Sequence, residues 1–153
     1  MSETFKTNAF VSKYREPMKK PTFAVIGIVA TDMVASLAFY RDLGWEIPSD
    51  VETQPHAVVD LPSGIQIAFD TPEIMTAYDP AWTPASGGSR VALSFSCESG
   101  THVDEVFREM TNKGHRGHIE PFDAFWGQRY AVLHDPDGNA VDLFAWLPNG
   151  QPE

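Results

Sequence analysis

The chain of 153 residues has a single cysteine, Cys97. No intramolecular disulfide can form, and a cysteine-rich zinc module is excluded. Long apolar runs are missing too. The longest uncharged stretch, Pro21–Thr31, has 11 residues, too few to span a bilayer. There is no phosphate-cradling glycine loop and no Gly-x-Ser-x-Gly elbow. Basic residues are scarce: 11 Lys and Arg face 21 Asp and Glu, for a formal charge of −10. Five of the basic side chains (Lys6, Lys13, Arg15, Lys19, Lys20) and two acidic ones fall in residues 1–20, which leaves −13 on the rest. So acidic a body repels phosphate backbones and anionic lipid, so nucleic acid and membrane are poor partners. Cationic or zwitterionic small molecules are better ones.

What is present is ordinary for a globular protein: 42% hydrophobic and 21% charged residues. The length suits one domain or two fused halves, and such a chain buries about 68–70% of its unfolded surface without a disulfide or metal staple. Residues 1–20 are polar with no periodic apolar face and are expected to form a flexible arm. Lys19 and Lys20 precede the apolar run Phe23–Ala30 in the manner of a signal peptide, but the charged segment ahead of them is too long for one. The expectation is a soluble cytoplasmic protein. Residues 148–153 read as a frayed tail.

The remainder reads as two similar halves. Phe23–Ala30 suits a buried strand. Asp32 precedes a helix over Met33–Leu43, with Val34, Leu37, Ala38 and Arg41 on one side, and Gly44 stands where helices end. Strands are expected at Trp45–Ile47, His56–Leu61 and Ile65–Phe69, the last two joined by the turn Pro62-Ser63-Gly64. The order then repeats. Val91–Cys97 alternates apolar and small polar residues as a strand does. Thr101 and Asp104 have capping-box spacing before a helix with Val103, Val106, Phe107 and Met110 on one face, and Gly114 ends it. Strands follow near His118–Pro121, Arg129–His134 and Ala140–Trp146, with the turn Asp135-Pro136-Asp137-Gly138 between the last two. The expected class is α+β: one domain over 21–147, with modules at 21–70 and 89–147 and a linker at 71–88. Tyr78 and Trp82 in that linker are either pocket-lid residues or plain linker.

Trp126-Gly127-Gln128-Arg129-Tyr130-Ala131-Val132-Leu133-His134-Asp135-Pro136-Asp137-Gly138-Asn139 resembles the closing motif of the vicinal oxygen chelate superfamily. That group includes glyoxalase I, extradiol dioxygenases, fosfomycin resistance enzymes and bleomycin resistance proteins. Phe39-Tyr40-Arg41-Asp42-Leu43-Gly44-Trp45 resembles the family's first-helix ending, and the likeness covers about residues 22–147. It implies two tandem βαβββ modules forming a curved mixed sheet around a cavity, usually in a homodimer. Enzymes of the superfamily hold a divalent metal with His or Gln on the first strand and Glu on the last strand of each module.

Tested against that pattern, this sequence is poor in donors. Phe23–Ala30 has no His, Glu, Asp, Gln or Cys. Arg90–Ser96 has no carboxylate or imidazole. Asp142 takes the place where the family often has Glu, and its counterpart in the first module is Ala68. Gln66 lies one period earlier on the same strand face. A catalytic metal wants three protein donors, and Gln66 with Asp142 supplies two. His56, His102, His115, His118 and His134 read as strand-end, turn or helix-end residues, with His118 and Glu120 expected on one face. The likeness is therefore closest to the metal-free, bleomycin-resistance-like branch.

Without a metal, the inner face becomes a ligand pocket. Asp142, Phe144 and Trp146 share one side of the last strand, and Val141, Leu143 and Ala145 face the core. In bleomycin resistance proteins an aromatic residue in the tryptophan-glycine loop stacks on the drug, and Trp126 has that position here. Trp126, Phe125, Phe144 and Asp142 are the candidate binding residues, with Gln66, Trp45 and Tyr130 behind them. Aromatic faces and a desolvated carboxylate suit a planar or cationic guest. Packing in a core or dimer interface explains the same residues. The expectation is a cofactor-free binding protein for a small molecule, which in the resistance branch is an antibiotic. The alternatives are a metal-dependent lyase, isomerase or dioxygenase using Gln66 and Asp142, and an accessory protein whose cavity is filled by its own side chains.

Overall fold

A computed structural model describes residues 18–150. The expected arm, apart from its last three residues, and residues 151–153 lie outside the described part. The first half contains β1 (Val25–Val29), α1 (Met33–Asp42), β2 (His56–Asp60) and β3 (Gln66–Asp70). A short helix, α2 (Pro72–Tyr78), opens the connection to the second half. There follow β4 (Ala92–Ser96), α3 (Gly100–Asn112), β5 (Arg116–Asp123), β6 (Gln128–His134) and β7 (Ala140–Trp146). One sheet runs in the order β1-β3-β2 and the other β4-β7-β6-β5. In each, the first strand pairs parallel with the last, and the remaining pairings are antiparallel. The fold is α+β, built from two tandem modules.

The duplication extends to single hydrogen bonds. At the ends of α1 and α3, Gly44 N–H donates to Arg41 C=O and Gly114 N–H to Thr111 C=O. The next residues, Trp45 and His115, donate to Tyr40 and Met110. Both glycines have positive φ, +104° and +92°, which few other residues tolerate. The two hairpin turns match as well. Leu61 and Asp135 take equivalent positions, each donating to the residue four further on.

The modules differ in three places from the expected pattern. No strand forms at Trp45–Ile47. Pro48 has no N–H to donate to a ladder, and the Arg41 guanidinium takes the carbonyls of Ile47 and Pro48 while also pairing with Glu52. The segment's polar groups are thus bound to α1 rather than to a neighbouring strand. The cap of α3 is Ser99, whose hydroxyl accepts from His102 N–H at 3.1 Å. Thr101 and Asp104 lie inside that helix, and Asp104 instead binds Arg129 of β6 through both oxygens at 2.8 and 3.0 Å. Finally, α2 occupies part of the expected linker, started by Pro72 in its first turn.

The buried apolar residues form one cluster drawn from both halves. Leu37, Phe39 and Tyr40 of α1 join Val103, Phe107 and Met110 of α3, together with Ile67, Phe69, Leu133, Val141 and Leu143 from the strands. Helix α1 sits between the modules, so it buries Met33, Ser36, Leu37, Phe39 and Tyr40 and leaves Val34 exposed. Burying a serine needs a partner. Ser36 Oγ donates to Asp137 at 3.3 Å, and Asp137 also accepts from Thr31 N–H.

Asp135 makes the tighter contact. Its buried carboxylate accepts from Tyr40 Oη at 2.9 Å, from Asn139 Nδ2 at 2.9 Å, and from the backbone N–H groups of Asp137 and Asn139. The Asp-Pro-Asp-Gly turn thereby clasps the first module. Burial, and then the Asp135 charge, pushes the Tyr40 hydroxyl far above the usual tyrosine range. The phenol therefore stays protonated in the fold at pH values where it ionises in the unfolded chain. Its contribution is complete below about pH 10 and declines as the pH rises further. Tyr40→Phe is expected to cost about 2 kcal/mol at neutral pH in urea unfolding, and its deficit against the parent is expected to narrow above about pH 10.

Candidate functional site

Helix α3 covers one side of the second sheet, and the opposite side is open. Along β4, Ser94 and Ser96 are exposed while Leu93 and Phe95 turn inward. Along β7, Asp142, Phe144 and Trp146 lie on the open side, and Val141, Leu143 and Ala145 are buried in the core. This is the alternation that the sequence implies.

Asp142 is only 9% exposed on that open side. Its Oδ2 accepts from the Tyr130 hydroxyl at 2.5 Å and from Ser94 Oγ at 3.1 Å. Strand register creates the triad, because Ser94 lies beside Asp142 on β4 and Tyr130 is two residue pairs away on β6, on the same face. Burial first, and Asp142 second, push the Tyr130 phenol up to about 12. The unit is a carboxylate held by two hydroxyl donors under an aromatic wall.

That wall is built on Tyr130. Trp126 meets it edge-on at 5.3 Å and Phe122 at 6.2 Å, and Phe125 lies 4.9 Å from Trp126. Phe144 is the β7 partner of Tyr130. Trp126 is anchored by its indole N–H, which donates to Gln128 Oε1 at 2.7 Å. Gly127 allows the turn. It has φ +92° and the backbone of Gly150 packs against it, so an added Cβ would come within 2.7 Å of that backbone. Phe125, 98% exposed, and Trp126, 43% exposed, project from the loop.

Five of the seven candidates thus come together: Trp126, Phe125, Phe144, Asp142 and Tyr130. The other two lie elsewhere. Gln66 is on β3 of the first sheet, its amide donating to Asp60 at 2.7 Å. Trp45 packs against the core, stacked on Tyr40 at 4.7 Å and tilted against Phe95. Phe122 and Ser94 stand beside these five, outside the seven candidates. Ser94 was legible from strand alternation. Phe122 belongs to the aromatic segment that leads to Trp126, but its place beside Tyr130 was not legible, because β5 shifts register between Gly117 and Ile119 and again before Phe122, and a bulge breaks the period of two. His118, exposed on β5, stacks on His134, centroids 4.1 Å apart. Burial, then His118 and Arg116, lower the His134 imidazole below its usual value.

A cavity of about 460 Å³ lies apart from this wall, between β1 and β4, and none of the seven candidates lines it.

The pattern of the Glyoxalase/Bleomycin resistance protein/Dioxygenase superfamily matches residues 22–143. The chain belongs to that superfamily. Its fold is shared with a glyoxalase/bleomycin resistance protein/dioxygenase from Nocardioides, 24% identical, with 90% of this chain and 91% of that one covered and a TM-score of 0.71. A glyoxalase/bleomycin resistance protein/dioxygenase family enzyme from Burkholderia phytofirmans PsJN is 22% identical over 83% of this chain and all of its own, with a TM-score of 0.67. A glyoxalase-related enzyme from Fulvimarina pelagi is 20% identical over 81% and 87%, with a TM-score of 0.69. No curated protein matches. Among the described residues no helix is long and apolar enough to cross a membrane.

The divalent ion of the superfamily's enzymes does not fit the donors present. Among the described residues, no three His, Cys, Asp or Glu side chains gather into a group that could hold one. Gln66 and Asp142 belong to different sheets, and each already has a hydrogen-bond partner.

The pairing of Tyr130 with Asp142 has a direct readout. In alkaline titration followed by tyrosine absorbance, Tyr130 is expected to ionise near pH 12. Asp142→Asn is expected to bring this transition part of the way back toward 10, with the remainder due to burial. If the part of the transition that is lost in Tyr130→Phe already lies at 10 in the parent protein, the pair does not form.

Proposed function

We propose that this protein binds a small planar cation without the aid of a metal, holding it on the Trp126–Tyr130–Asp142 wall. The observation that carries this reading is the Asp142 carboxylate. It is buried, it faces the open side of the sheet, and it has no cationic partner among the described residues. Tyr130 and Ser94 occupy one of its oxygens. Oδ1 is left for a guest. A desolvated carboxylate strengthens a charge-assisted contact, the neighbouring rings attract a positive charge through their faces, and the acidic body speeds the approach of a cation. The likeness to bleomycin resistance proteins, where an aromatic residue of the same loop stacks on the drug, makes sequestration of a toxic compound the matching role.

The working unit on this reading is a homodimer. Phe125, Trp126 and Trp146 leave apolar surface exposed on one side of one sheet, and a second copy would cover part of it and deepen the wall into a cleft.

Isothermal titration with a panel of planar cationic dyes is the test, run beside a metal inventory of the purified protein and a molar mass by light scattering. Saturable binding of one cation per chain without metal is expected. Trp126→Ala is expected to weaken it by about 1–2 kcal/mol, roughly five- to thirtyfold in Kd. A stoichiometric ion that disappears on Asp142→Ala would overturn this reading in favour of metal-dependent lyase, isomerase or dioxygenase chemistry.

A further inference from the structure

We propose that the cavity between β1 and β4 is a second binding site, separate from the Trp126 wall, that takes a small amine with an apolar body beneath Trp82. Four observations carry this.

The first is size and lining. The space of about 460 Å³ falls within the range of small-molecule pockets, about 300–1,000 Å³. Ile26, Ile28 and Leu93 supply apolar walls, and Tyr40 forms part of the boundary. The Tyr40 hydroxyl is already bound to Asp135.

The second is the cover. From residue 76 to residue 92 every side chain is exposed except Trp82. An unstructured connection would not turn one indole inward without a reason. The turn at Asp79-Pro80-Ala81-Trp82 sets its direction: Trp82 N–H donates to Asp79 C=O at 3.0 Å and Ala81 N–H to the Asp79 side chain at 3.1 Å. Both ends of the connection are tied down. Thr71 N–H donates to Pro55 C=O, and Ser89 Oγ bridges Gly138 C=O and Ala140 N–H.

The third is polarity. Asp137 and Asn139 stand on the cavity wall. One of the two Asn139 amide N–H groups donates to Asp135, and the amide oxygen is left to accept. Asp137 accepts from Thr31 N–H and Ser36 Oγ, yet a carboxylate has about four acceptor positions, and no cation pairs with it among the described residues. Two acceptors on one wall call for a donor-rich, positive group.

The fourth is charge selection. Among the described residues, no lysine, arginine or histidine lines the cavity. A carboxylate or phosphate ligand would find no counter-charge there and would meet the repulsion of Asp137. An ammonium finds Asp137 and the Trp82 ring face, and its hydrocarbon body finds the apolar walls.

The probe is 1-naphthylmethylammonium, with 1-naphthylacetate as a control of similar body and opposite charge. Labelling the four tryptophans with 5-fluorotryptophan allows each to be followed by fluorine NMR, and the Trp82 signal is assigned by its loss in Trp82→Phe. The amine is expected to shift the Trp82 signal saturably, independently of any shift at Trp126, and the acetate is expected to leave it in place. Trp82→Ala, a change in the exposed connection, is expected to weaken amine binding at least fivefold by calorimetry, and so is Asp137→Asn. Equal urea midpoints for Trp82→Ala and the parent confirm that the fold is intact. The proposal fails if the Trp82 signal does not move, if the carboxylate binds as tightly as the amine, or if Trp82→Ala keeps full affinity. A shift confined to Trp126 or Trp146 would place the amine on the other wall, and so would defeat this site while leaving the first reading standing.

Discussion

A buried carboxylate has to be fully satisfied or it destabilises the fold around it. Asp135 meets that demand with four donors, and only one of them lies in the other module: the hydroxyl of Tyr40. That one bond ties the β6–β7 turn to α1, and much of the molecule is arranged about it. Tyr40 can reach the turn because α1 is wedged between the halves. Tyr40 is also the platform on which Trp45 stacks and against which Phe39 and Phe69 pack. Asp137, two residues on, holds the entrance to the same helix through Thr31 and Ser36. Further contacts close the opposite end of α1, where Asp42 receives Lys113 and His115 from the end of α3. The first half is therefore held to the second at both ends of one helix, with a shared apolar cluster between.

Duplicated modules begin as equals, and what matters here is where they have diverged. The two hairpin turns make the same backbone hydrogen bonds, yet the first presents Leu61 where the second presents Asp135. A clasp forms on one side only. The last strands of the modules have diverged in the same manner. β7 carries Asp142 at a place where β3 carries Ala68, so the two carry no matched pair of carboxylates for an ion. The residues that remain suit other physics. Asp142 is steadied by two hydroxyls, and the rings beside it come from a loop whose turn depends on Gly127. On the proposed reading, that carboxylate recognises positive charge.

The two proposed sites rest on different parts of this divergence. The Trp126 wall belongs to the second module alone and is open. The space under Trp82 exists because β1 and β4 line one cavity without joining into one sheet, and because the connection between modules turns an indole over the gap. Both are acidic, and among the described residues no lysine, arginine or histidine lines the cavity under Trp82, in keeping with a chain whose charge is −10. Long-range charge thus favours cations before either pocket contributes.

Much of this could be read from residue order, because it depends on local rules. Gly44 and Gly114 end helices since few other residues tolerate their backbone angles. The period of two along Ala140–Trp146 separates core from open side without reference to any other strand. The repeat of strand, helix and hairpin is visible because each element carries its own signal, and the tryptophan-glycine and Asp-Pro-Asp-Gly-Asn motifs tie that repeat to one superfamily. What tertiary structure decided was every outcome that depends on a distant partner. Arg41 captured the carbonyls that would have made Trp45–Ile47 a strand. Two register shifts in β5 placed Phe122 beside Tyr130 and His118 upon His134. Trp45 was drawn to the core by Tyr40 and away from the aromatic wall. A local turn aims Trp82, but the gap between sheets that it covers is encoded by no local pattern. Spacing along a chain specifies torsions and faces, whereas which groups meet across the fold is settled only when competing donors, acceptors and apolar surfaces are all in place.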